Sequence, residues 1–358
     1  MSDQLTMSRT ASLIGSTLFL LAVLLVDSAA ADQRSGRAAR ELAAEVSQKG
    51  WIVYSARTKT GDWDLFLMRP DGSRRRNITN TPKSNEAAAR FSNDGKRLLF
   101  RRLKRASQIS HSNHGQQGRL VIAQADGTNP VAYAKEGQFP WACWGPNDQR
   151  LACLTPRGIE IIDIASKRVL RKLDRQRMFQ RFFWSPDGKW FVGTANSFGS
   201  GWTIVRMNAI SGAVNMVHQG YCCTGSWLPD SKRVIYAHRP NVPGIYRETQ
   251  LWMADGDGRN RQLIYGADAR HMYYGTVSPD LWYVVLTDSP KDGGGATAGG
   301  SPLVVMRLSD APTIAGPSPL LRKISLPLSK SSRDKNGPVL RLSPGWNPHW
   351  TYAKIGGE

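Results

Sequence analysis

Trp184-Ser185-Pro186-Asp187-Gly188-Lys189 joins a bulky residue to a tight polar turn that leads into an apolar strand. The phrase recurs. Its other copies are Phe91-Ser92-Asn93-Asp94-Gly95-Lys96, Trp144-Gly145-Pro146-Asn147-Asp148-Gln149, Trp227-Leu228-Pro229-Asp230-Ser231-Lys232 and Val277-Ser278-Pro279-Asp280-Leu281-Trp282, with a decayed last copy at Trp346-Asn347-Pro348-His349-Trp350. A repeat of about 40–50 residues holding several short strands is the signature of a β-propeller. Six anchors predict six blades.

Between anchors the chain keeps one grammar. Trp51-Ile52-Val53-Tyr54-Ser55 and Asp64-Leu65-Phe66-Leu67-Met68 are apolar, β-branched and aromatic, as strands are. Arg69-Pro70-Asp71-Gly72 reads as a turn, with Pro presetting φ and Gly supplying a positive one. Arg76-Asn77-Ile78-Thr79 reads as a short outer strand. It matches a glycosylation sequon, but a three-residue match is too short to argue from. Ala125-Asp126-Gly127, Ile210-Ser211-Gly212 and Asp255-Gly256-Asp257-Gly258 are hairpin signals of the same kind.

The register predicts how the ring closes. The chain opens mid-blade, at a strand that ordinarily follows the repeated turn, and ends at Pro344-Gly345-Trp346-Asn347-Pro348, which ordinarily precedes it. The expected architecture is therefore all-β: a six-bladed propeller of four-stranded antiparallel blades over residues 51–352, closed by a C-terminal strand joining the N-terminal blade. Closure removes exposed sheet edges. Residues 353–358 are then a tail. The Gly-rich insertion Ser289 to Ser301 and the Pro, Ser and Lys-rich stretch Ala311 to Pro338 read as variable loops.

Residues 1–31 read as a signal peptide: Arg9, an apolar run from Ala11 to Val26, then Ser28-Ala29-Ala30-Ala31. The run is shorter than the roughly 20 residues a spanning helix needs. An uncleaved membrane anchor over residues 11–26 is the alternative. Residues 32–50 are polar and Ala/Glu/Arg-rich, a linker or a short helix. Export to the periplasm or outside the cell is the expectation, with membrane contact only through the N-terminal segment.

Lys and Arg number 48 against 28 Asp and Glu, a net charge of +20. That balance favours anionic partners. The basic residues are dispersed, with clusters at Arg74-Arg75-Arg76 and Arg101-Arg102-Leu103-Lys104-Arg105, and no aromatic-interleaved basic strip of the nucleic-acid kind stands out. A protein or an anionic polysaccharide is the expected partner, nucleic acid is not, and a monomer is expected.

The Asp-Leu-Phe-Leu-Met strand and turn, then Ile-Thr, then the Phe-Ser-Asn-Asp-Gly-Lys or Trp-Ser-Pro-Asp-Gly-Lys turn, resemble the TolB-type propeller repeat, a relative of the WD repeat. The resemblance covers roughly residues 51 to 350. It implies the architecture and leaves the activity open, since propellers host many unrelated functions. TolB itself carries an α/β domain ahead of its propeller, for which the twenty or so residues before the first strand leave no room, and no G-x-S-x-G elbow is present.

Ligands of propellers sit around the channel, on loops that enter the innermost strands. Here those loops hold Asn85-Glu86, Glu136-Gly137-Gln138, Gln180-Arg181, Tyr221-Cys222-Cys223 and Arg270-His271-Met272-Tyr273-Tyr274. Arg270 and His271 suit an anion, and Tyr273 and Tyr274 suit stacking on a sugar, or simply packing. His238 and Arg239 should open onto the same face. These six are the expected ligand-binding residues of a non-catalytic binding or scaffold module. The alternative is a polysaccharide lyase or hydrolase using His271, His238 and Arg239 at the channel mouth. The spacings of His218, His238 and His271 match no metal motif, so neither metal nor cofactor is expected. In an oxidising compartment, Cys143 and Cys153 flank one turn and are placed for a cross-strand disulfide, or pack as small buried residues. Cys222 and Cys223 are adjacent, and no C-x-x-C motif occurs.

Overall fold

A computed structural model describes residues 36–109, 118–174, 179–196, 202–240, 248–267, 269–290, 301–311 and 337–356. The expected signal peptide, most of the Gly-rich insertion and most of the Ala311 to Pro338 stretch lie outside the described residues.

The described residues form 24 strands in six four-stranded antiparallel sheets, the six blades of a propeller. The first blade is composite: Trp346–Thr351 is innermost, followed by Trp51–Arg57, Trp63–Met68 and Arg76–Asn77. The remaining innermost strands are Ser84–Phe91, Ala142–Trp144, Arg181–Trp184, Cys222–Trp227 and Arg270–Val277. The ring closes as the register predicts, with Ile52 opposite Trp350 and Trp51 opposite Thr351. Trp51, Tyr54 and Trp346 are wholly buried at this seam, each contributing roughly 1.5–3 kcal/mol or more of apolar burial.

The same register corrects the last anchor. In the other five blades the anchor pairs with the second residue of the next strand: Phe91 with Leu98, Trp144 with Leu151, Trp184 with Phe191, Trp227 with Val234, Val277 with Val284. In the first blade that partner is Ile52, and it faces Trp350. Trp350 is therefore the sixth anchor, and Pro348 belongs to the strand instead of the turn. The Trp-x-Pro spacing mimicked the repeat four residues too early.

Four innermost strands carry one β-bulge at the same place. Ala88, Thr224, Tyr274 and Asn347 each have positive φ, between 56° and 58°, and each lies three residues before its anchor. Such backbone costs of order 1–3 kcal/mol at a non-glycine residue and survives only where its surroundings enforce it. The extra residue bends the inner strand where six strands crowd around one axis.

Residues 36–46, within the stretch read as linker or short helix, form a helix. Leu42 and Val46 are wholly buried against Tyr283, Val285 and Trp350. Glu45 accepts from Arg307 Nε at 2.8 Å and from the Tyr283 hydroxyl. Bonding to Arg307 holds the Glu45 carboxyl below its ordinary range. The helix is thus packed onto the first and sixth blades.

The turns also link blades. Asp148 Oδ1 accepts from the Asn93 amide N–H at 2.8 Å and from Asn93 Nδ2 at 2.6 Å, while Oδ2 accepts from the Asp94 N–H at 2.8 Å. Between the fourth and fifth blades, the Asp187 N–H donates to Ser231 Oγ at 3.0 Å.

Candidate functional site

At the end of the channel where the innermost strands finish lies a cavity of about 320 Å³. Every blade contributes its anchor and the residue before it: Arg90 and Phe91, Cys143 and Trp144, Phe183 and Trp184, Ser226 and Trp227, Thr276 and Val277, His349 and Trp350. The repeat that builds the fold therefore also builds the cavity wall. Pro186, Pro229 and Pro279 of the turns complete the rim. The wall is aromatic and holds no carboxylate among the described residues.

Its polar groups are held firmly. Arg90 is buried and donates to the Ala89 carbonyl at 2.8 Å, the Asn347 carbonyl at 3.2 Å and Asn347 Oδ1, with its guanidinium 5.2 Å from the Phe183 ring. Burial, then repulsion from Arg181, pushes its pKa down to about 9. Arg181 is itself buried, its guanidinium 4.9 Å from the Tyr274 ring. His349 Nδ1 accepts from the Phe91 N–H at 3.1 Å, so the neutral ring carries its proton on Nε2. Burial and then Arg90 hold this imidazole well below its ordinary pKa. Arg90 is thus a buried cation on a wall that holds no acid.

Near the other end, Trp63, Ala87, Cys223, Tyr273, Tyr274 and Trp346 pack into one buried cluster. Tyr274 meets Trp346 edge-on at 5.2 Å.

The six residues singled out from sequence separate into two blades. Arg270, His271, Tyr273 and Tyr274 lie on the innermost strand of the sixth blade, where folding uses them. Arg270 donates to the Asp288 carboxylate and, at 2.8 Å, to its carbonyl. His271 Nδ1 accepts from the Thr249 N–H at 3.1 Å, with its ring stacked on Tyr273 at 5.9 Å. Tyr273 and Tyr274 are buried, and desolvation pushes the Tyr273 phenol up to about 12. His238 ends the second strand of the fifth blade, and Arg239 follows it on the surface. Glu86 is buried against Arg102 Nε at 2.8 Å, its carboxyl pushed up to about 7 by desolvation.

Of the two readings of Cys143 and Cys153, small buried residues hold and the cross-strand disulfide is corrected. Cys143 pairs with Ala152 and Cys153 with Ala142. A one-residue offset puts two side chains on opposite faces of a sheet. Cys143 accordingly packs toward the fourth blade and Cys153 against Leu99 and Leu120. All four cysteines are free thiols.

One cluster of donors suits a metal. His218, Cys222 and His238 each offer an atom within 4.8 Å of the others. His271, grouped with the two histidines by residue type, stays apart on Thr249.

No protein-family model matches the sequence, and no curated protein does. Solved structures match the fold. TolB from Acinetobacter baumannii aligns with a TM-score of 0.60 at 15% identity, over 85% of this chain and 67% of that one. The chain folds as a TolB-like propeller. A chain of a nidogen/laminin complex aligns with a TM-score of 0.50 at 11% identity, over 73% of this chain and 90% of that one. At such identities the likeness concerns architecture alone. Among the described residues of the TolB-like propeller, no helix is long and apolar enough to cross a membrane.

Arg90, His349 and the cavity role of the anchors escaped the sequence reading. Which end of the channel stays hollow depends on side-chain volume at the axis.

Proposed function

We propose that this TolB-like propeller is an exported, non-catalytic binding module that grips an acidic, extended segment of a protein partner in its channel cavity. The observation that carries this reading is Arg90: a buried guanidinium on an aromatic wall that offers no carboxylate to neutralise it. An entering carboxylate would supply the missing charge in a site where water screens it little. The ring of Phe91, Trp144, Phe183, Trp184, Trp227 and Trp350 suits apolar flanking side chains, since aromatic rings anchor interfaces well.

General acid–base chemistry needs a titrating pair within reach of substrate. On this wall the imidazole of His349 is engaged by Phe91, and no acid accompanies it, which supports binding over turnover. A second reading, an anionic glycan, draws on the same rings and on the +20 net charge.

Peptide display on the purified chain, run beside an array of anionic glycans, tests both. The reading expects enriched acidic peptides whose affinity falls at least about tenfold in Phe183→Asp and persists at physiological salt, because buried pairs are screened little. Binding that disappears with salt and ignores the cavity variant would leave only bulk charge. Saturable glycan binding lost in the variant would favour the second reading.

A further inference from the structure

We propose that His218, Cys222 and His238 form a binding site for a borderline-soft divalent transition metal, Zn²⁺ by its donor chemistry. Three segments converge there. His218 ends the outermost strand of the fourth blade, Cys222 begins the innermost strand of the fifth, and His238 ends the strand beside it, directly opposite Cys222. The site lies near the end of the channel away from the cavity, and does not depend on the function proposed for that cavity.

Two imidazoles and one thiolate are a donor set for zinc, which binds nitrogen at about 2.0–2.1 Å and sulfur at about 2.3 Å in tetrahedral geometry. Those lengths imply donor separations of about 3.3–3.7 Å. Cys222 Sγ lies 3.3 Å from His238 Nδ1, and all three donors fall within 4.8 Å. Drawing the donors in from within 4.8 Å to that range would complete three corners, leaving the fourth for water or an external ligand.

Outer partners are already in place. The Tyr236 hydroxyl bonds His218 Nδ1 at 2.8 Å and fixes the ring, as supporting groups around metal-binding histidines do. The Gly220 carbonyl accepts from Cys222 Sγ at 3.1 Å and from the His238 ring. Its direction is set by consecutive positive φ values at Gly220 and Tyr221. Burial, then Cys223, raises the Cys222 thiol well above its ordinary range while Arg261 opposes the shift, and metal binding would release that proton to solvent. Cys223 belongs to a different cluster from Cys222 and serves as an internal control.

The test is titration of the full, reduced, chelator-stripped chain with Co²⁺ and then Zn²⁺. The expected result is one equivalent of Co²⁺ with a thiolate-to-metal charge-transfer band and d–d bands of tetrahedral intensity, displaced by Zn²⁺. Cys222→Ser should abolish the charge-transfer band, and both it and His238→Ala should weaken Zn²⁺ binding by about 100-fold or more. Cys223→Ser should bind as the parent does. Circular dichroism confirms the fold of each variant. Should Cys222→Ser not fold, loss of the tetrahedral cobalt spectrum in folded His238→Ala replaces it. A reduced parent chain that gives no cobalt spectrum, or equal binding in folded Cys222→Ser, overturns the site.

Discussion

Arg90 donates to both the backbone carbonyl and the side-chain oxygen of Asn347, a residue 257 positions further along the chain. The contact ties the second blade to the strand that closes the ring. It also holds the cation on the cavity wall, so one residue joins closure to the proposed site.

Arg90→Met should lower stability by about 1–3 kcal/mol, because two buried acceptors on Asn347 lose their donor. Relief of the buried charge offsets part of that cost. Arg90→Lys should not restore it, since one ammonium does not reproduce the guanidinium fork. Urea unfolding measures both. Unchanged stability in Arg90→Met would show that the tie contributes nothing net.

His349 predicts acid sensitivity. Its folded pKa lies well below the ordinary value of 6.5, so as pH falls through 6.5 the unfolded chain gains a proton that the native cavity wall refuses. Stability from this group is complete above 6.5 and declines toward the lower folded pKa, by at most about 1.4 kcal/mol per pH unit. His349→Gln should flatten the profile between pH 6.5 and 5. An identical slope in the variant would assign the acid loss to other groups.

Asp148→Ala removes a carboxylate that accepts three hydrogen bonds from Asn93 and Asp94. Charge-assisted bonds of this kind support a cost of about 2–3 kcal/mol. Asp148→Asn, which keeps one acceptor oxygen, should lose less. Melting temperatures of the pair give the order; equal losses would contradict the two-oxygen clasp.

Leu42→Ala distinguishes a packed helix from a linker. A wholly buried leucine costs about 2–5 kcal/mol on truncation, whereas a solvated linker residue costs almost nothing. Hydrogen exchange across residues 36–46 should rise in the variant while the blades stay protected. Wild-type stability would mean that the helix does not dock.

Much of the fold was legible because a propeller repeats its instructions. Strands such as Thr203–Asn208 and Gln250–Asp255 announce themselves by β-branched or apolar runs that lead into a Gly-containing turn. Where the spacing falters, at Trp346-Asn347-Pro348, a bulge and a strand proline imitate the turn, and the anchor lies four residues later at Trp350. The site was less legible. Arg270, His271, Tyr273 and Tyr274 look reactive as a string, yet the fold uses them for packing and pairing. Cys222 and His238 sit symmetrically about the Asp230 turn, a relation visible in sequence, whereas His218 comes from another blade.

Local sequence by itself determined the blade number, the four-stranded grammar and the closing strand, because turn chemistry and alternation act within one repeat. Tertiary structure alone decided which end of the channel is hollow, that Cys143 and Cys153 face apart, and that His218 meets Cys222 and His238. Those outcomes depend on one-residue register and on side-chain volumes where different blades meet, quantities that no single repeat encodes.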